Sequence, residues 1–349
     1  MALISLHIGL RCTEYIYREA GKDILEMAKP LVFVTRVPPP QGMKLIEDSC
    51  TTRAMREDRF ITREEMLEGV VGVEGILCHP PDKVDKVVLD AAGPSLKGVS
   101  TMSVGLEHID LTECRKRGIS VGYTPNVLTD ATAETTVSLL LATSRRLKEA
   151  FSAVVDGGWG SWENGLYLCG KTLLESTVGI VGLGRIGLAI AKRLQPFGVK
   201  KLLYSGNSRK EWEEEVGAEF VSFERLLQES DFVIACCSIN KENVGLFNKS
   251  AFSKMKKSAI FINTSRGVLV HQDDLYDALK SGTIMAAGLD VTSPEPLPRD
   301  HPLHSLKNCV ITPHIGSATV YARNAMADLA ARNLIAGLKG EVLPSPVPQ

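Results

Sequence analysis

No stretch of the 349 residues is apolar for long enough to cross a bilayer. No two cysteines stand in CxxC spacing. The eight, Cys12, Cys50, Cys78, Cys114, Cys169, Cys236, Cys237 and Cys309, are scattered. That excludes the ligand pattern of a zinc ribbon and leaves no disulfide framework to read. It is the pattern of reduced thiols, so a cytoplasmic location is expected, with no metal. Net charge is nearly absent as well: 40 Lys and Arg against 41 Asp and Glu leave −1, which argues against nucleic acid or an anionic membrane as partner. Residues 1–30 lack the basic start that a secretory signal places before its apolar run. They are also too acidic, at Glu14, Glu19, Asp23 and Glu26, for a typical transit peptide. They are expected to form an accessory extension, with organelle targeting left open. The chain ends in Pro348-Gln349, without a receptor-read address.

What is present is ordinary globular material, 44% hydrophobic and 23% charged. At about 100–200 residues per domain the length suggests two domains. The chain is organised around Thr177 to Gly198. Val178 to Val181 reads as a buried parallel strand. Gly182, Gly184 and Gly187 then follow in GxGxxG spacing, and Ile186, Ala189, Ile190 and Leu194 recur at helical spacing until Pro196 and Gly198. Glycines at a strand-to-helix turn serve three needs: a tight turn at Gly182, close backbone approach to a pyrophosphate at Gly184, and helix–strand packing at Gly187. The helix N-terminus then faces the anion. This is the sequence signature of a dinucleotide site.

On either side, strand-like and helix-like segments alternate, as a parallel α/β layer requires. Leu31 to Thr35 reads as the first strand, and Pro38-Pro39-Pro40 breaks the chain after it. Gly75 to Cys78, Leu96 to Ser100 and Ile119 to Gly122 are further strands. Asn126 and Thr129 are candidate caps for a helix over Ala131 to Arg146. After the glycine turn, strands are expected at Lys201 to Ser205, Asp231 to Cys237, Ala259 to Asn263, Met285 to Leu289 and Cys309 to Thr312, with a last long helix over Ala318 to Leu338. The expected fold is α/β: two Rossmann-like, doubly wound parallel-sheet domains with an active-site cleft between them. Residues 31–127 plus 317–349 would form a discontinuous outer, substrate domain, and residues 128–316 the dinucleotide-binding domain.

A further absence bears on the cofactor. An NAD site usually carries an acid at the end of the second strand, for the ribose 2′-hydroxyl. Here that place reads Tyr204-Ser205-Gly206-Asn207-Ser208-Arg209, with no Asp or Glu. Arg209 attracts a 2′-phosphate that a carboxylate would repel. NADPH is therefore expected over NADH.

Three residues at strand ends have the chemistry for catalysis. Arg266, in Asn263-Thr264-Ser265-Arg266-Gly267, can grip a carboxylate with two parallel bonds. Glu295 lies in Ser293-Pro294-Glu295-Pro296. His314 lies in Thr312-Pro313-His314-Ile315-Gly316. An imidazole backed by a carboxylate can deliver a proton to an alkoxide. Among the remaining histidines, His108 beside Glu107 is the alternative. Spacing alone does not bring the three together.

These residues resemble the D-isomer-specific 2-hydroxyacid dehydrogenases from about Leu31 onward. The resemblance rests on Gly182-Leu183-Gly184-Arg185-Ile186-Gly187, Asn263 to Gly267, Gly288-Leu289-Asp290-Val291 through Glu295-Pro296, and Pro313-His314-Ile315-Gly316. Ser103-Val104-Gly105, Gly122-Tyr123-Thr124-Pro125 and Gly158-Trp159 through Trp162 most resemble the animal branch that reduces glyoxylate and hydroxypyruvate. The resemblance implies reduction of those acids to glycolate and D-glycerate, with NADH a weaker substitute for NADPH. His314 would be the proton donor, Glu295 its orienting partner, and Arg266 the carboxylate clamp. The amides of Val104 and Gly105 would hold the other end of the substrate, with Ser317 nearby. Ser238 and Thr264 would line the cofactor, Asp290 would meet the carboxamide, and Arg185, Ile186 and Gly316 complete the cofactor set. Gly206, Asn207, Ser208 and Arg209 match the 2′-phosphate stretch. Trp162 would reach a partner's active site, which implies a homodimer. Two other readings are an NAD(H)-sensing, corepressor-like binding protein and a sibling such as phosphoglycerate dehydrogenase.

Overall fold

The computed structural model describes residues 29–57, 59–160 and 165–348. By its internal contacts the chain divides into two units. One runs up to Tyr123 and resumes at Ala327; the other is Thr124–Met326. The second division falls inside the last helix and not at Ser317, the start of the expected outer segment.

The first unit begins with β1 (Leu31–Val34), α1 (Pro40–Ser49), β2 (Thr51–Ala54), α2 (Arg63–Gly69) and β3 (Gly75–Cys78). It continues with α3 (Lys86–Ala92), β4 (Gly98–Thr101), α4 (Leu111–Lys116) and β5 (Ser120–Gly122). The strands form one parallel sheet in the order β2-β1-β3-β4-β5. Pro40 does more than break the chain: it stands at the first helical position of α1, where its missing N–H costs nothing. Thr62 starts α2 with a complete capping box to Glu65. Phe33, Ile76, Cys78 and Val99 meet α2, α3 and α4 in one cluster.

The second unit contains α5 (Thr129–Ser144), α6 (Leu147–Val155), β6 (Thr177–Val181), α7 (Arg185–Leu194) and β7 (Lys201–Ser205). Then come β8 (Ala218–Phe220), α8 (Phe223–Glu229), β9 (Phe232–Ala235), α9 (Lys249–Lys254), β10 (Ile260–Asn263), α10 (Gln272–Lys280), β11 (Ala286–Leu289) and β12 (Cys309–Ile311). Its seven strands are parallel in the order β12-β11-β10-β9-β6-β7-β8. Separate apolar clusters cover the two faces, as a doubly wound sheet requires. Phe247 and Phe252 both pack on Phe261, with centroids 4.7 and 5.7 Å away. All three are fully buried, and each such side chain stabilises by about 1.5–3 kcal/mol.

The closing helix, α11 (Val320–Lys339), belongs to both units. In the first unit it lies against the sheet where the strands carry glycine: Cβ atoms added at Gly75 or Gly122 would come within 3.0 Å of Leu334 or 2.5 Å of Asn333. Asn333 is buried; its amide donates to the Tyr123 carbonyl and its oxygen accepts from Ser345 N–H. The tail beyond it pairs antiparallel with β5 at Gly122 and Pro346.

Candidate functional site

β6 delivers the glycine turn, and the coordinates separate the three glycines by what surrounds them. Gly182 has φ +101, and a Cβ there would lie 2.7 Å from the Cys236 carbonyl oxygen. At Gly187 a Cβ would lie 2.3 Å from the Gly182 carbonyl oxygen. Both are walled in by backbone. Gly184 faces open space, with nothing within 4 Å of an added Cβ. It is the N-cap of α7 and lends that helix end no side-chain cap, so the first-turn N–H groups are left for another acceptor. An uncapped helix start beside an open glycine fits a dinucleotide's diphosphate.

Arg185 donates to Oδ1 of Asn126 at 2.9 Å. Asn126, with φ 70, is therefore not the cap of α5; that place is taken by Leu128, without a side-chain bond. Ile186 packs at the edge of the apolar cluster. Gly206, Asn207, Ser208 and Arg209 leave the end of β7 as an exposed loop. Arg209 Nε lies 3.7 Å from Oε1 of Glu213. Past β9, Ser238 is exposed and its carbonyl accepts from Asn243 at 2.8 Å. Thr264, just past β10, shares a 2.7 Å hydrogen bond with Thr136 of α5.

The carboxyl ends of three neighbouring strands, β10, β11 and β12, carry the remaining second-unit candidates. After β10, the buried Asn263 side chain donates to the Arg266 carbonyl at 2.9 Å and accepts from Ser265 N–H and Oγ. That fixes the loop. Gly267 lets it lie directly on the next one, since a Cβ there would sit 1.9 Å from the Thr292 carbonyl oxygen. After β11, Thr292 N–H donates to Glu295 Oε1 at 3.0 Å, and Gln272 exchanges two hydrogen bonds with the Ser293 backbone. After β12, His314 Nδ1 stands 2.7 Å from Glu295 Oε2. His314 has φ 53, a left-handed conformation that costs a non-glycine residue energy. Asp290 holds it there. The Asp290 carbonyl accepts from His314 N–H, and its buried carboxylate accepts from Thr312 Oγ1, Ile315 N–H and Gly316 N–H at 2.6–2.9 Å.

Burial pushes the Glu295 carboxyl up, but the His314 hydrogen bond and charge, Thr292 N–H and the Arg266 charge outweigh it and hold it below the usual range. An ionised carboxylate only accepts. The His314 nitrogen facing Glu295 is thus the one that carries hydrogen, and Nε2 is the nitrogen left to work outward. The fold brings Arg266, Glu295 and His314 together although 48 residues separate the first from the last (266 to 314). Ser317 follows two residues past Ile315, half-buried.

In the first unit, Val104 and Gly105 lie in the loop after β4. Ser103 Oγ donates to the Gly105 carbonyl at 2.6 Å and contacts Thr101 Oγ1 at 2.9 Å; Thr101 Oγ1 in turn lies 2.9 Å from His108 Nε2. His108 is therefore part of the bracing under that loop. Sequence reasoning did not single out the buried Asp82, which accepts from Thr35 Oγ1 at 2.5 Å and from His79 N–H at 2.8 Å at the ends of β1 and β3. Trp162 lies outside the described residues. Among the described residues, no cluster of three or more His, Cys, Asp or Glu is placed to hold a metal, and no helix is long and apolar enough to cross a membrane.

The family profile described as D-isomer specific 2-hydroxyacid dehydrogenase, NAD binding domain, matches residues 137–316. The human protein named glyoxylate reductase/hydroxypyruvate reductase is 57% identical over 317 residues, which covers 90% of this chain and 96% of that one. A glyoxylate reductase of Thermofilum pendens is 47% identical, over 91% of this chain and 94% of its own. Among solved structures, an NADPH-dependent glyoxylate/hydroxypyruvate reductase from Sinorhizobium meliloti, in complex with NADP and malonate, superposes with a TM-score of 0.78 at 31% identity. That match covers 92% of this chain and 97% of the other.

Proposed function

The chain belongs to the D-isomer specific 2-hydroxyacid dehydrogenase family, and from that premise we propose that it reduces glyoxylate to glycolate and hydroxypyruvate to D-glycerate with NADPH. One observation carries the reading: a guanidinium and a carboxylate-backed imidazole stand on adjacent strand ends, in the same unit as an uncapped glycine turn. Open α/β sheets take their ligands at strand ends of this kind.

The chemistry supplied there is a hydride, delivered from reduced nicotinamide to the carbonyl carbon of the acid. Arg266 binds the substrate carboxylate by two charge-assisted bonds and draws density from the adjacent carbonyl. His314 gives the proton from Nε2 to the carbonyl oxygen, so that hydride and proton together make the hydroxyl. Glu295 keeps the ring turned for that transfer and opposes the charge on it. The amides of Val104 and Gly105 are assigned to the other end of the carboxylate, and Ser317 to the substrate's surroundings. Gly182, Gly184, Arg185, Ile186, Gly187, Ser238, Thr264, Asp290 and Gly316 are assigned to the cofactor. Gly206 to Arg209 are assigned to its 2′-phosphate, and the lack of an acid within Tyr204–Arg209 supports NADPH over NADH.

We assign the working form as a homodimer. α6 has no buried residue, and Phe151, Val154 and Val155 are exposed on it, an apolar face that asks for cover. A cytoplasmic setting is supported by Cys50, Cys78, Cys114, Cys169, Cys236, Cys237 and Cys309, all free thiols. Steady-state rates with NADPH and NADH against glyoxylate, hydroxypyruvate and pyruvate test the activity. Higher kcat/KM for the first two acids with NADPH is expected. No turnover of either acid, or a preference for NADH, refutes the corresponding part. Sedimentation giving a monomer at micromolar concentration refutes the dimer.

A further inference from the structure

Gly206–Arg209 is an exposed loop, and an exposed loop has little reason to keep one shape, since ordering it costs backbone entropy. Here one phenol closes it. Tyr204 is the fourth residue of β7, 1% exposed, with its ring 5.1 Å from that of Phe220. Its neighbours in the strand, Leu202 and Leu203, are buried and apolar. Packing alone would be served by a phenylalanine. A buried hydroxyl is costly unless bonded, and this one is bonded twice. It accepts the Lys210 N–H at 2.9 Å, where the loop ends, and donates to Oε2 of Glu213. The other oxygen of that carboxylate faces Arg209 Nε at 3.7 Å. One hydroxyl thus holds the far end of the loop and, through Glu213, sets a carboxylate beside Arg209. Trp212, next to Glu213, donates its Nε1–H to the Leu183 carbonyl at 2.9 Å, inside the glycine turn. Loop and turn are tied to each other.

We propose that Tyr204 and Glu213 are positioning residues that hold the Gly206–Lys210 loop and Arg209 ready for a 2′-phosphate, and so set cofactor preference. The inference rests on the reading of that loop as the 2′-phosphate site. Leaving the loop unclosed penalises a ligand that needs it and spares one that does not.

Calorimetric titration of NADP+ and of NAD+ into the full chain tests this, with Tyr204→Phe, Glu213→Ala, the double variant and Arg209→Ala. Losing the bonds of one hydroxyl is expected to weaken NADP+ about five- to tenfold, and NAD+ less than about twofold. Glu213→Ala loses the same brace but also removes a carboxylate that opposes a phosphate, so it should weaken NADP+ less than Tyr204→Phe does, and the double variant should be no worse than Tyr204→Phe alone. If Arg209→Ala leaves the ratio of the two affinities unchanged, the underlying assignment of the loop falls, and the proposal with it. If Arg209→Ala lowers that ratio and Tyr204→Phe does not, the proposal alone is overturned. Equal weakening of both nucleotides by Tyr204→Phe, with a lowered melting temperature, makes the tyrosine a packing residue and also overturns it.

Discussion

Gly184 and Gly187 stand three residues apart in one turn, yet replacing each by alanine should give different results for stability. At Gly184 the backbone has φ −80, which any residue adopts, and an added Cβ meets nothing within 4 Å. Alanine there restricts the unfolded chain, a gain of about 0.4–1 kcal/mol, but is a poorer N-cap than glycine by a similar amount, so stability should change little. The same methyl stands in the space the diphosphate needs, and losing one amide bond to a charged group costs about 1.5–3 kcal/mol. Cofactor affinity should therefore fall about 10- to 150-fold in a protein that melts close to wild type. At Gly187 the Cβ would sit 2.3 Å from the Gly182 carbonyl oxygen, which is backbone and cannot rotate away. Overpacking of that kind costs about 1–3 kcal/mol, so stability and binding should fall together. Thermal melts paired with calorimetric titration of NADP+ read both. Unchanged affinity in Gly184→Ala would mean that the open space beside α7 is not the diphosphate's place. An unchanged melt in Gly187→Ala would mean that the turn does not depend on close packing at that position.

Arg266→Lys exchanges two parallel bonds for one, so KM for the 2-oxo acid should rise about 10- to 150-fold; equal KM would remove Arg266 from the carboxylate. Glu295→Gln should lower kcat by about 100-fold or more, because His314 loses the anion that turns it. Since the Glu295 carboxyl is held below its usual value, its ionised form stabilises the fold above the ordinary glutamate range, and that contribution is lost as pH falls through the depressed value. The stability of wild type over Glu295→Gln should accordingly shrink below about pH 4, and a gap independent of pH in acid melts would contradict the pairing. Gly267→Ala should drive the Arg266 loop off Thr292, lowering both the melting temperature and kcat/KM by measurable amounts. A variant with wild-type values would show that the two loops need not touch.

The glycine turn and the strands beside it were legible because buried parallel strands write continuous apolar runs, and Val178 to Val181 or Ile260 to Ile262 have no other reading at that length. β2 was not legible. Its sequence, Thr51-Thr52-Arg53-Ala54, is half exposed at the sheet edge and carries no apolar run. α1 was hidden by its own prolines; the helix expected over Ala131 to Arg146 ends within two residues of α5, but α6 just beyond it was not singled out. The candidate site was legible as residues but not as a constellation. Arg266, Glu295 and His314 each look like loop residues. Their meeting depends on Asn263, Gly267, Gln272 and Asp290, whose work is done by side-chain amides, a missing Cβ and a buried carboxylate, none of which leaves a periodic signal. The brace from Tyr204 to Glu213 was missed for a similar reason, since a tyrosine in a strand reads as packing.

The tail from Ala327 onward has a consequence for the order of biosynthesis. The sheet that begins at Leu31 is completed by Asn333 and by the Ser345–Val347 pairing, more than three hundred residues downstream of its first strand. On the ribosome the nucleotide-binding unit has all its strands before that earlier-made sheet receives its last piece, so the half translated first is the half finished last.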